Sequence, residues 1–324
     1  MIDVHLGPDD LARIRFARSP LAETVASVQV LGDPSRQEAF RPWLASVTPL
    51  LGGLRLELLG ALVGGPHFSA DFLTPAPEVA GAEFEAELER VRATPAAEVR
   101  ASIDELRGDG PVPERLAGLY DGPERELGRL AEELAAYWRV AVRPVWPRLR
   151  ALADADLGYR AQAVTTGGLA KLLADLHPGI ERGGPGMRIL TPAWDGEHLL
   201  RGCGLVLVPC VFAWPRLVMR FDEPRPSMFA YPPRGFATVW DRAPRTRGEP
   251  LGELIGHSRA RLLAHLDLPL STTQLAAEVG LTPAAVSQHL SVLRRTSLVT
   301  SRRDGRAVLY QRTSLATELL RQTG

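Results

Sequence analysis

The chain has 324 residues, 45% of them hydrophobic and 23% charged, and a formal net charge of +0. That length exceeds what one small core needs and predicts two domains, while the ordinary composition excludes disordered, collagen-like and disulfide-stapled classes. Two cysteines, Cys203 and Cys210, with no Cys-x-x-Cys spacing, predict buried, inert thiols in a cytoplasmic protein.

The opening "MIDVHLGPDD" has neither a basic start nor an apolar run, so no signal peptide is expected. Residues 2 to 6 alternate and predict a short edge strand. Helical spacing then dominates. Leu21, Val25 and Val28 follow it, as do Phe84, Leu88 and Val91, then Val99, Ile103 and Leu106, then Leu127, Leu130, Leu134 and Trp138. Pro144 and Pro147 should kink or end that last helix, with helical spacing resuming from Leu149 to Leu176. Gly183 to Gly186 form a firm break. From about Met187 to Tyr231 the segments "RILTPA", "EHLLRG", "GLVLVPCVF", "RLVMRF" and "SMFAY" predict consecutive antiparallel strands or hairpin arms. The most apolar window, "CGLVLVPCVFAWPRLVM", is interrupted by Pro209, Pro215 and Arg216. It falls short of the roughly 20 apolar residues of a membrane span, so no membrane partner is expected. The expected class is α+β: a mostly helical N-terminal domain over residues 1–240 with an antiparallel strand-rich segment, a linker at 241–250, and a winged helix-turn-helix over 251–324.

The last domain carries the chemistry. "GELIGHSRARLLAHL" supplies its first helix. In "LSTTQLAAEVGLTPAAVSQHLSVLRR", Ser271 and Gln274 have capping-box spacing, with Leu270 and Leu275 at the staple positions. Gly280 fits the C-terminal left-handed position. Thr282 is an N-cap, Pro283 suits the first helical turn, and Leu281 and Val286 form a second staple. Two helices joined by so short a turn have the spacing of a helix-turn-helix. Val286, Leu290 and Leu293 recur at helical intervals and face inward. Roughly opposite lie Ala284, Gln288, Ser291 and Arg295, with Ser287 on the flank. Short side chains with Ser and Gln suit base edges, where Gln pairs adenine and an Ala methyl meets a thymine methyl. Asp304-Gly305 then centres a hairpin, Leu298 to Arg302 against Ala307 to Arg312. Arg302, Arg303 and Arg306 cluster at its tip, placed for phosphates or a minor groove. From Ser258 to Arg312 there are eight arginines against Asp267, Glu278 and Asp304, which leaves +5 here and −5 elsewhere. A basic module on an acidic body is the footprint of a DNA reader. Lys171 is the only lysine, so phosphate contacts must come from arginine forks.

Residues from about Ser258 to Thr313 resemble the winged-helix domain of the arsenical-resistance-repressor (ArsR) family, on "LSTTQLAAEVGLTPAAVSQHLSVLRRTSLV" and "RRDGRAVLY". The wider layout is similar to large actinobacterial regulators of that kind with a long N-terminal domain, on "FLTPAPE", "ELERVRATP" and "GLVLVPCVFAWPRLVM". The resemblance implies a homodimer on a palindromic operator, usually as a repressor, with base-reading positions at Ala284, Ser287 and Gln288. Thr282, Ala285, Ser291 and Arg295 complete the expected recognition surface, and Arg302 through Arg306 the wing. Metal-sensing members place cysteines on the first helix of the pair, or Asp and His on the last. Here those segments read "TTQLAAEV" and "SLATELLRQ", so neither a metal nor a cofactor is expected.

No nucleophile elbow or phosphate loop is present, and "GGPGMRIL" lacks the Lys-Ser/Thr of a P-loop, so no enzyme is expected. His67 and Asp71 share a spacing but lack a third ligand, and His177 is expected to cap helix carbonyls. Trp138, Trp146, Trp194, Trp214 and Tyr231 fall in the helical-to-strand region. Ordinary core is their leading reading, and a pocket for an apolar small-molecule effector the second. The alternatives to a DNA-binding regulator are a protein-interaction winged helix and an enzyme with an appended regulatory one.

Overall fold

A computed structural model describes residues 1–63, 69–183, 186–190, 195–222, 224–240, 249–267, 269–279, 281–304 and 307–322. The fold is α+β, and the chain divides into two compact units, Met1–Trp240 and Asp241–Gly324.

In the first unit the helices are α1 (Pro8–Ala12), α2 (Pro20–Leu31), α3 (Pro34–Gln37), α4 (Arg41–Leu51), α5 (Glu57–Leu62), α6 (Phe84–Arg92), α7 (Ala96–Arg107), α8 (Glu114–Asp121), α9 (Pro123–Tyr137) and α10 (Trp146–Ala174). The strands are β1 (Ile2–His5), β2 (Arg15–Phe16), β3 (Ile180–Gly183), β4 (Gly186–Ile189), β5 (Gly196–Leu199), β6 (Leu205–Pro209), β7 (Val218–Arg220) and β8 (Ser227–Tyr231). Helix α2 is buried on nearly every side, as its long apolar run requires. Its polar groups are satisfied locally: Ser19 Oγ caps the Ala22 amide at 2.9 Å, and Thr24 Oγ1 donates to the Pro20 carbonyl at 2.7 Å. Helix α9 starts on Pro123 with Glu124 and Glu126 in its first turn, and buries Leu127, Leu130 and Leu134.

The strands form two sheets, ordered β3-β4-β1-β5 and β2-β6-β8-β7. Pairs β3·β4, β1·β4 and β7·β8 are antiparallel, but β6 pairs parallel with both β2 and β8, and β5 pairs parallel with β1. The expectation of consecutive hairpin arms is therefore corrected. Strands β6 and β8 are buried along their whole length. Val206, Val208, Met228 and Ala230 enter the main helical core, while Leu205, Leu207, Phe229 and Tyr231 enter a second core against β1 and β4. A strand covered on both faces shows a continuous apolar run, which belongs to a parallel interior rather than a hairpin.

The second unit contains α11 (Glu249–Ile255), α12 (His257–His265), β9 (Leu270–Ser271), α13 (Thr272–Val279), α14 (Pro283–Arg295), β10 (Val299–Asp304), β11 (Ala307–Arg312) and α15 (Ser314–Gln322). The single leading helix expected here is two, because Gly256 takes φ 90° and breaks it. The sheet order is β10-β11-β9, antiparallel throughout. Leu262, Leu263, Leu275, Val286, Leu290, Leu293, Val299 and Ala316 make one core. Most of the expected linker, residues 241–248, lies outside the described residues, as do Gly280 and His67.

Candidate nucleic-acid interface

The start of α13 is closed as its sequence dictates. The Ser271 amide donates to Gln274 Oε1 at 2.8 Å, and the Gln274 amide donates to Ser271 Oγ at 3.3 Å, which is a reciprocal capping box. Arg261, on α12, donates from Nη2 to the Val279 carbonyl at 3.2 Å and so covers the far end of α13. Helix α14 begins on Thr282, whose Oγ1 accepts from the Ala285 amide at 3.2 Å, with Pro283 in the first turn.

Burial then sorts α14 into two faces. Val286, Leu290 and Leu293 are buried, and Ala284, Ser287, Gln288, Ser291 and Arg295 are exposed. Ala285 and His289 are half-buried on the border. Thr282 is exposed at the cap. The exposed face is thus small and polar near its start and basic at its end. Arg294, which the sequence reading left out, is also exposed.

The wing is held at a fixed angle to α14. Ser297 takes φ 57°. The Ser297 amide donates to the Arg294 carbonyl at 3.0 Å and the Leu298 amide to the Leu293 carbonyl at 2.9 Å. Those two bonds, with Leu293 and Leu298 both buried, make a Schellman end. The chain leaves it directly into β10, whose register with β11 runs from Val299↔Arg312 to Asp304↔Ala307. Arg302 and Arg303 are exposed on β10, and Arg306 lies outside the described residues.

The eight arginines of this segment do not act alike. Arg259 Nη1 donates to the Ile255 carbonyl at 3.0 Å, and Arg312 Nη1 donates to the Leu263 and Ala264 carbonyls at 3.2 and 3.1 Å. With Arg261, these three complement the negative ends of helices. Arg294, Arg295, Arg302 and Arg303 form no ion pair among the described residues, which leaves their guanidinium groups available to phosphates.

The aromatic residues of the first unit do not converge. The Trp138 ring stacks on Phe84 at 4.6 Å and meets Trp146 edge-on at 5.8 Å. Trp214 stacks instead on Phe236 at 4.9 Å. Tyr231 sits in the other core, donating its hydroxyl to Asp156 Oδ2 at 2.7 Å under the Arg160 guanidinium. Trp194 lies outside the described residues. The four described residues do not share one pocket, because β6 and β8 place their two faces in separate cores.

Cys210 is buried and its Sγ donates to Glu23 Oε2 at 3.3 Å, and burial pushes the thiol up; Cys203 is half-buried, and both are free. Glu23 also accepts from the Val211 and Phe212 amides at 2.7 and 3.0 Å. Burial raises its carboxyl to about 7 against the pull of those bonds. His177 does not cap a helix. Its Nδ1 accepts from the Gly179 amide at 3.0 Å, so its Nε2–H donates to the Pro215 carbonyl at 2.9 Å. Asp71 lies on a short 3₁₀ turn, Asp71–Leu73. Among the described residues no group of three or more His, Cys, Asp or Glu is arranged to hold a metal ion, and no helix is long and apolar enough to cross a membrane.

Residues 258–302 match a helix-turn-helix domain family. This chain carries a helix-turn-helix domain. Among solved structures, a cysteine-to-serine variant of Lactococcus lactis ZitR is similar at 26% identity, over 20% of this chain and 48% of that one, with a TM-score of 0.20. The match therefore spans about half the length of that protein. No curated protein is detectably similar to the chain. The domain and the two-faced α14 together support a DNA-binding transcription regulator.

Proposed function

We propose that the chain is a transcription repressor of the ArsR kind, which reads a palindromic operator as a homodimer and carries no catalytic activity. Helix α14 enters the major groove, presenting Ala284, Ser287, Gln288 and Ser291 to base edges, with Thr282, Ala285 and Arg295 at the flanking backbone. Arg302, Arg303 and Arg306 bring the wing to phosphates or a minor groove. The first unit senses a small-molecule effector or supports assembly. The observation that carries the reading is the division of α14, with Leu290 at 0% exposure on one face and uncharged Ser287 and Gln288 exposed on the other, beside a wing whose Arg302 and Arg303 form no ion pair among the described residues. A solvated face of a structural helix would more often carry Glu and Lys.

A two-fold dimer sets its recognition helices about 34–36 Å apart, one turn of duplex. The test is a gel shift of the full chain on the DNA upstream of its own coding sequence, with sedimentation analysis of the complex. Saturable, sequence-selective binding by two chains per duplex is expected. A chain that shifts no duplex at low salt, or only all duplexes equally, contradicts the proposal and returns the winged helix to a protein-contact role.

A further inference from the structure

We propose that a hollow beside the end of α9 binds a small planar aromatic carboxylate; as the effector site of the regulator proposed above, it rests on that reading. The hollow measures about 270 Å³. Phe84, Leu88 and Trp138 form its floor, all three buried, with the Phe84 and Trp138 rings 4.6 Å apart and only 7° from parallel. Ala135 is a small residue among the lining side chains and leaves the space open. The exposed part of its lining is Arg92, Arg139, Arg143, Glu85 and Glu89.

The local backbone explains the arrangement. Pro144 has no amide hydrogen, and its ring would strike the carbonyl one α-turn back. Helix α9 accordingly widens over Trp138–Val142 into a π-turn, in which the Arg143 amide donates to the Trp138 carbonyl at 2.8 Å. Such single wide turns recur at functional sites. This one brings Trp138, Arg139 and Arg143 together in the lining of the hollow, with Trp138 buried and both arginines exposed.

Charge then selects the ligand. Arg92 is engaged by Glu89, but Arg139 and Arg143 are exposed and form no ion pair among the described residues. The chain has no acid between Glu133 and Asp154, a stretch that also holds Arg148 and Arg150. Two unpaired guanidinium groups over an aromatic floor fit a ring that stacks or packs below and a carboxylate that meets the forks above. The volume lies just under the ~300–1,000 Å³ of pockets that hold drug-sized ligands, which limits the occupant to one or two fused rings. A neutral ring of the same shape would leave both arginines unpaired.

The test is titration calorimetry of the full chain with naphthoate and, as the neutral isostere, naphthamide. Naphthoate should fill one site per chain, with naphthamide about tenfold weaker or worse. The double variant R139Q/R143Q should drop naphthoate to the affinity of naphthamide, leave naphthamide unchanged, and keep the thermal midpoint, since both side chains are exposed. Equal affinity for acid and amide, no saturable binding of naphthoate at millimolar concentration, or a double variant that binds naphthoate like the parent overturns the site. Calorimetry needs no DNA, so the two readings fail separately. A chain that takes up naphthoate but shifts no duplex keeps the site and loses the regulator. A chain that binds its operator but not naphthoate does the reverse.

Discussion

The two units keep their charges in opposite ways. In the first, Asp10, Glu23, Asp33, Glu87, Glu133, Asp156, Arg36, Arg160 and Arg220 are buried charged residues. In the second, no polar or charged side chain is fully buried among the described residues. The buried acids of the first unit are clasps between distant segments. Glu87 accepts the Leu21 amide at 2.9 Å across 66 positions, Glu133 accepts the Leu59 amide at 2.9 Å across 74, and Asp156 joins α10 to β8 through Arg160 and Tyr231. The second unit closes its backbone locally with Ser271, Gln274 and Thr282, and turns its partly buried arginines onto helix-end carbonyls. A unit held by buried ion clasps is sensitive to charge and pH. A unit held by an apolar core and caps is not, and it keeps its remaining cations for the surface.

The largest break in this contrast comes from Asp156. Replacing it by Ala leaves the Arg160 guanidinium, 2% exposed, without its carboxylate, and frees the Tyr231 hydroxyl. A loss of about 3–5 kcal/mol in urea unfolding is expected, as for other broken buried pairs. In the second unit Leu290→Ala should cost about 2–5 kcal/mol, through cavity formation alone and equally at pH 5 and pH 8 (roughly the acid and base sides of neutrality).

Acidity separates the units next. Burial pushes both Glu23 and Glu87 up to about 7. Their folded-state values lie above the unfolded ones, so the native chain holds protons that the unfolded chain releases. Stability is then highest below about 4.5 and falls as pH rises to about 7, by roughly 3 kcal/mol per group. Thermal unfolding across that window should show the fall, and a double variant Glu23→Gln, Glu87→Gln should flatten it. An unchanged slope would mean that these carboxyls are not the clasps that titrate.

The smallest effects sharpen the local side. Thr282→Ala should cost about 1 kcal/mol by removing the cap on the Ala285 amide. Ser297→Gly should gain up to about 1 kcal/mol, because Ser297 holds φ 57°, where a side chain is disfavoured.

The same contrast explains what the sequence discloses. Each cap of α13 and α14 is set by residues three apart, and the wing by one turn, so the helix-turn-helix and its exposed face were legible from spacing. The number of its arginines is plain in the sequence, and their division between helix ends and surface is not. That Arg312 bonds the end of α12 depends on β11 passing there, which no local signal announces. In the first unit the helices were legible and the strand pairing was not, since β6 pairs parallel with β8 and β2 only through contacts far apart in the chain. One signal was available: the unbroken apolar runs "LVLVP" and "SMFAY" mark strands covered on both faces. The ring of Trp138 marks it in the sequence, whereas the grouping of Arg139 and Arg143 beside it depends on the wide turn ahead of Pro144.

The central claim is that the uncharged face of α14 reads bases while the wing holds phosphate. Fluorescence anisotropy of the full chain, on its operator and on a scrambled duplex over a range of salt, tests it most directly. Gln288→Ala should lose about 1–3 kcal/mol on the operator and almost nothing on the scrambled duplex. Arg303→Ala should weaken both duplexes alike and lower the salt slope by about one unit. Operator affinity and selectivity unchanged by both substitutions would contradict the assignment of α14 and its wing as the DNA-reading surface.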